Sequence, residues 1–196
     1  MKKMCAASMI TFTILMATQA HAHEVVSAGG FVTGLTHPVL GFDHLLAMIS
    51  VGILSTQIGG KAIWSVPLTF VMVMIVGGVL GMQSIRVPLV EFGIALSVLA
   101  LGVALAADRN LPVVVSMIFV GFFAVFHGHA HGTEMPLIAS PFLYALGFVI
   151  GTAGIHVAGV LVGLIATRLP KGTKILRYSG AGIAGIGFHI LVGASG

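Results

Sequence analysis

An all-α, polytopic membrane protein is the fold class this sequence predicts, and three observations predict it. Of the 196 residues, 58% are hydrophobic and only 7% are Asp, Glu, Lys or Arg, against roughly 25% charged residues in an average soluble domain. Mean hydropathy of +1.13 agrees. The apolar residues run without interruption for about twenty positions at a time, as membrane helices do, where a transmembrane barrel would alternate polar and apolar positions. A soluble enzyme, a nucleic-acid binder and a disordered chain are excluded by the same numbers.

The N-terminus reads as a secretory signal. Lys2 and Lys3 precede an apolar stretch from Met4 to Ala17, and Ala20-His21-Ala22 has the small-x-small pattern of a cleavage site. Cleavage after Ala22 makes residues 1–22 a signal peptide and residues 23–196 a six-span membrane domain. The single cysteine, Cys5, leaves with the signal, so the mature chain has neither a disulfide nor a thiolate metal site.

Six apolar stretches follow, at about 31–57, 63–82, 87–107, 111–130, 137–167 and 175–192. Each can cross the ~30 Å hydrocarbon core at ~1.5 Å per residue. Turn-forming residues separate them: Gly59-Gly60-Lys61, Arg86-Val87-Pro88, Asp108-Arg109-Asn110 and Pro170-Lys171-Gly172. A cleaved signal puts the mature N-terminus outside, and the loops alternate from there. Lys61, Arg109, Arg168, Lys171, Lys174 and Arg177 then all fall inside, and only Arg86 outside. That positive-inside bias agrees with the signal peptide and accounts for the formal net charge of +4. Both mature termini are expected on the periplasmic face of a bacterial inner membrane.

Glycine, at 27 residues, is abundant enough to need a role. Gly147 and Gly151, Gly159 and Gly163, and the group Gly77, Gly78 and Gly81 have the spacing that lets helix backbones approach closely in lipid. Gly180, Gly182, Gly185 and Gly187 suggest the same for the last helix, and such faces are compatible with a homo-oligomer. Trp64 and Tyr178 fall near helix ends, as interfacial anchors do.

Histidine is the anomaly: nine residues, against five carboxylates, in a chain that avoids ionisable groups. Ionisable side chains in a membrane interior are costly and need partners or an ion. The first helix carries His37, Asp43 and His44. Seven residues return His37 and His44 to within about 20° of one face, yet ~10 Å apart on a straight helix. Either they serve successive sites, or Pro38 and Gly41 unwind the helix and bring them together. The fourth helix ends in Phe126-His127-Gly128-His129-Ala130-His131-Gly132-Thr133-Glu134. His127, His131 and Glu134 share a face at i, i+4 and i+7. His129 points elsewhere if the segment stays helical, although its glycines favour unwinding. Both groups fall on the same membrane face, and His37, Asp43, His44, His127, His131 and Glu134 are the candidate metal ligands. Glu91, His129, His156 and His23 are candidates for an extended metal path, and each has an ordinary structural reading beside it. Imidazole with carboxylate suits Ni²⁺, Co²⁺ or Zn²⁺ better than Cu(I), Mg²⁺ or Ca²⁺.

His37-(x)5-Asp43-His44 and Phe126-His127-Gly128-x-Ala130-x-Gly132-x-Glu134 resemble the signature of the HupE/UreJ family, as does Gly151-Thr152-Ala153 followed by His156. The resemblance runs from the signal peptide through all six spans. It implies a nickel or cobalt permease linked to hydrogenase or urease maturation, and it puts weight on His37, Asp43, His44, His127 and Glu134. The expectation is a secondary transporter and not an enzyme, with no permanently bound cofactor and the divalent ion as its cargo. No P-loop sequence is present to hydrolyse a nucleotide. Histidine protonation is then expected to suppress transport as pH falls through about 6 to 7. Two rivals stand beside the permease: an intramembrane metalloenzyme acting on lipid, and a metal sensor or storage protein that binds without moving ions. His-Glu-x-x-His, the commonest metalloprotease pattern, is absent.

Overall fold

The computed structural model describes residues 30–109, 111–135 and 140–194. The expected signal peptide, its cleavage site and His23 lie outside the described residues. Among those described there are seven helices and no strand: α1 (Gly30–Leu40), α2 (Phe42–Ile58), α3 (Ala62–Met82), α4 (Val90–Ala107), α5 (Val113–Thr133), α6 (Pro141–Thr167) and α7 (Gly172–Ala194). The last five are each long and apolar enough to cross a membrane. α1 and α2 pass the same test only as a pair, bent by 80° at Gly41. The protein is a multi-pass membrane protein, with five such spans among the described residues, or six if the bent pair counts as one.

The first apolar stretch is therefore a helix broken at Gly41, while Pro38 stays within α1; His37 and His44 are not brought against each other, and each lies against the His131 ring instead. Gly41 takes an extended conformation (φ −80°, ψ 108°) and starts α2 by accepting the Leu45 amide at 2.8 Å. The next reversal, between α2 and α3, passes through Gly59 (φ 77°) and Gly60 (φ 55°). That left-handed backbone is cheap only without a β-carbon.

α2 is the centre of the bundle. It packs on α6, α4 and α3, and residues 50–56 are buried without a gap. Around it the other helices pair closely: α3 with α5, α4 with α7, and α1 with α6. Lipid supplies no hydrophobic drive between helices, so close backbone approach carries the association. α6 divides its small residues between two partners. Gly147 and Gly151 lie against α1 at Phe31 and Leu35, whereas Gly159 and Gly163 lie against α2 at Ile49 and Thr56. On α7 only part of the expectation holds: Gly180 and Gly187 meet α4, but Gly182 and Gly185 face open space.

The helix ends sort the charges. Lys61, Arg109, Arg168 and Lys171 lie at one end, and Arg177 there donates its Nε to the Ala106 carbonyl at 2.9 Å, tying α7 to the end of α4. The opposite end gathers the α1–α2 break, the end of α5 and the start of α6. Trp64 and Tyr178, the expected anchors, are both exposed.

Candidate metal site

At the bend, Asp43 stands in the first turn of α2, where a helix favours negative charge. Its Oδ1 accepts the His44 amide at 2.8 Å and His44 Nδ1–H at 2.9 Å. The imidazole is thereby held as the tautomer whose Nε2 carries the lone pair, and that Nε2 is buried without a partner. This carboxylate–histidine arrangement is the usual support of a metal-binding imidazole.

α5 stays helical through its glycines to Thr133, so those residues do not unwind the chain as expected. They serve the packing instead: a β-carbon on Gly128 would collide with the Met74 carbonyl of α3, and one on Gly132 with that of Gly78. Helical geometry then puts His127 and His131 on one face, as their spacing predicts, and turns His129 away. His129 Nε2–H donates to the Ile85 carbonyl at 2.8 Å, beyond the end of α3.

The bend and α5 meet around His131. Its ring centroid lies 4.8 Å from that of His37 and 4.1 Å from that of His44. His44 in turn lies 4.7 Å from His127. Phe70 of α3 touches both His127 and His156, at 5.5 and 5.1 Å between centroids. Glu134 closes the exposed end: its Oε2 accepts from His37 Nε2 at 3.0 Å and lies 3.8 Å from His131 Nδ1. His37, His131 and Glu134 each offer one ligand atom, all within 4.8 Å of one another. His131 is only 3% exposed, yet neither ring nitrogen has a hydrogen-bond partner. Phe148 packs on its ring at 4.3 Å and fixes its plane without occupying either nitrogen. The result is a column of imidazoles, His37, His131, His44 and His127, running inward from a half-exposed carboxylate.

A family model described as HupE / UreJ protein matches residues 10–190, nearly the whole chain. The chain belongs to the HupE/UreJ family. A curated relative from Rhizobium leguminosarum bv. viciae, named Protein HupE, is 45% identical over 175 residues, which cover 89% of this chain and 91% of that protein. No solved structure matches.

In this HupE/UreJ chain, all six residues expected as ligands, His37, Asp43, His44, His127, His131 and Glu134, come together at one end of the bundle. Asp43 does so through His44. Among the candidates for an extended path, His156 is buried next to Phe70, with Nδ1–H bonded to the Thr152 carbonyl at 2.9 Å and Nε2 unpartnered. Glu91 is different: it is exposed in the first turn of α4 and makes none of the cluster's contacts. His129 is likewise not drawn in, because its i+2 offset from His127 puts it on another face.

Sequence reasoning missed Ser97, whose Oγ lies 2.8 Å from His127 Nε2, and Phe70, Tyr144 and Phe148, which wall the column. A serine and aromatics on apolar helices carry no local signal. Only the packing of α3 and α4 against α5, and of α6 against α1 and α2, brings them to the histidines.

Proposed function

We propose that this protein is a secondary permease that takes up a divalent transition metal ion, Ni²⁺ or Co²⁺, across a bacterial inner membrane to supply a hydrogenase or urease. One observation carries the reading. Three neighbouring imidazoles in an apolar bundle, His44, His127 and His131, keep buried ring nitrogens without a hydrogen-bond partner, and a buried polar atom without a partner is costly unless a ligand satisfies it. Family membership and the name of the Rhizobium relative support the same reading, and the set of imidazoles and carboxylates suits nickel or cobalt.

In this reading the cluster faces the periplasm, because the basic loops at the opposite end favour the cytoplasm and a cleaved signal peptide leaves the mature N-terminus outside. The ion exchanges water for Glu134, His37 and one nitrogen of His131. From His131 the ion passes to the inner group, where His44 and His127 present lone pairs. An imidazole adds no charge to the ion it ligates and is readily replaced, so the ion moves by ligand exchange between sites a few ångströms apart. His156, across Phe70, is the next stop inward. The membrane potential contributes about 2.3 kcal/mol per charge per 100 mV in the inward direction. The basis of the rate is thus a graded series of weak sites, where a closed cage of carboxylates would bind firmly and release slowly.

Uptake of radiolabelled Ni²⁺ by cells producing the protein tests this directly. His37→Ala and Asp43→Ala are each expected to slow uptake strongly at equal protein level. Wild-type uptake in both variants would refute the site at the bend.

A further inference from the structure

Resting on the permease reading, we propose that Ser97 is a positioning residue of the metal path: its hydroxyl fixes the tautomer of His127, so that Nδ1 presents the lone pair to the ion.

Ser97 is fully buried on α4, opposite His127 on α5. Its Oγ lies 2.6 Å from the Ile94 carbonyl oxygen, three residues back in the same helix, and 2.8 Å from His127 Nε2. A serine hydroxyl has one proton to give and two lone pairs. A carbonyl oxygen can only accept, so the short Ser97–Ile94 contact takes that proton. Toward His127 the hydroxyl must therefore accept, and His127 Nε2 carries the hydrogen.

The opposite arrangement fails on two counts. If Ser97 donated to His127 Nε2, lone pairs of Oγ and the Ile94 oxygen would face each other at 2.6 Å. His127 Nδ1 would then carry a hydrogen in a fully enclosed position where it has no acceptor. Orphaned buried N–H groups are rare in native proteins.

Three buried histidines of the path are thus built to one plan by three different groups. A carboxylate holds His44 Nδ1–H, a backbone carbonyl holds His156 Nδ1–H, and a back-bonded hydroxyl holds His127 Nε2–H. Each leaves one ring nitrogen free of hydrogen and without a protein partner. His127 is the reversed member, ligating through Nδ1 where the other two offer Nε2. Metal binding requires a neutral imidazole with its lone pair on the metal's side, and outer partners that enforce this typically contribute about 10- to 100-fold in metal affinity. Replacing Ser97 by alanine removes the one hydrogen-bond partner that, among the described residues, distinguishes the two nitrogens of His127.

The test uses the full chain in lipid nanodiscs, metal-free and labelled with ¹⁵N-histidine, at about pH 8, where imidazoles are neutral. The His127 resonances are assigned by their loss in His127→Asn. In the wild type, hydrogen is expected on Nε2 and none on Nδ1. In Ser97→Ala, the Nδ1–H form is expected to appear, with the dissociation constant for Ni²⁺ raised about 10-fold or more. Hydrogen on Nδ1 in the wild type would overturn the proposal. So would a Ser97→Ala protein with unchanged tautomer, whether its affinity is preserved, which denies Ser97 any role, or weakened, which assigns it to packing alone. Failure of the permease reading gives a different pattern: in proteoliposomes Ni²⁺ would bind to the wild-type protein without reaching the lumen, whatever tautomer His127 shows without metal.

Discussion

In the half of the bundle next to the basic loops, the hydroxyls of Ser55, Thr56 and Ser116 bond to carbonyls one turn back in their own helices, at 2.7, 2.7 and 3.2 Å. Val51, Leu54, Val66, Leu101 and Leu105 fill the space among them. The opposite half treats its polar groups differently. There His44, His127 and His131 each keep at least one buried nitrogen with no partner in the protein. Exceptions exist: the hydroxyls of Ser50, Ser65, Tyr144 and Thr152, Gln57 Oε1 and His129 Nδ1 are also buried without a partner, but none of them belongs to an imidazole of the contiguous column. The contrast shows how a membrane protein separates polar groups that hold helices from those kept for cargo. The hydroxyls of Ser55, Thr56 and Ser116 are satisfied locally, whereas each buried imidazole of the column is left open at one nitrogen or both.

That contrast orders the effects of substitution on Ni²⁺ affinity. His131→Ala should have the largest effect, because it removes the imidazole shared by the outer and inner groups. A supporting residue is worth about 10- to 100-fold in affinity, and loss of this ligand should reach or exceed about 100-fold. Equilibrium binding to the purified protein checks it. Asp43→Asn should come next, at about 10- to 100-fold, because the amide no longer reliably enforces hydrogen on His44 Nδ1. Asp43→Glu, which restores a carboxylate, is expected to recover part of the loss, and an equal loss in both variants would mean that the carboxylate does not act through His44.

Leu101→Ala tests the other half. It leaves a cavity in the apolar layer, where such truncations cost about 2–5 kcal/mol in well-packed cores. The expected outcome is a lower Tm with unchanged Ni²⁺ affinity. A matching fall in affinity would show that the two halves are not separable. The smallest effect belongs to His129→Gln, which keeps a donor for the Ile85 carbonyl and touches no member of the column. Uptake by this variant should be indistinguishable from wild type, although the residue lies within two positions of both His127 and His131.

Much of this was legible in the chain itself. The span boundaries follow from long apolar runs, and the shared face of His127, His131 and Glu134 follows from helical period alone. The break at Gly41 was one of two readings, since Pro38 and Gly41 permit a bend without requiring it. What requires it is α6, whose Gly147 and Gly151 seat α1 while Gly159 and Gly163 seat α2 further along the same helix. The glycines of α5 misled for a related reason. Locally they lower helix propensity, but against α3 they are the residues that allow contact at all. Ser97 was invisible because a serine thirty positions from His127 has no spacing relation to it.

The most direct test of the central claim is flux of radiolabelled Ni²⁺ into proteoliposomes that contain only the purified protein, under an inside-negative potential. Uptake into the lumen by the wild type, lost in His131→Ala at equal incorporation, is the predicted result. Ni²⁺ that binds to the protein but never reaches the lumen would contradict transport and leave a sensor, store or enzyme in its place.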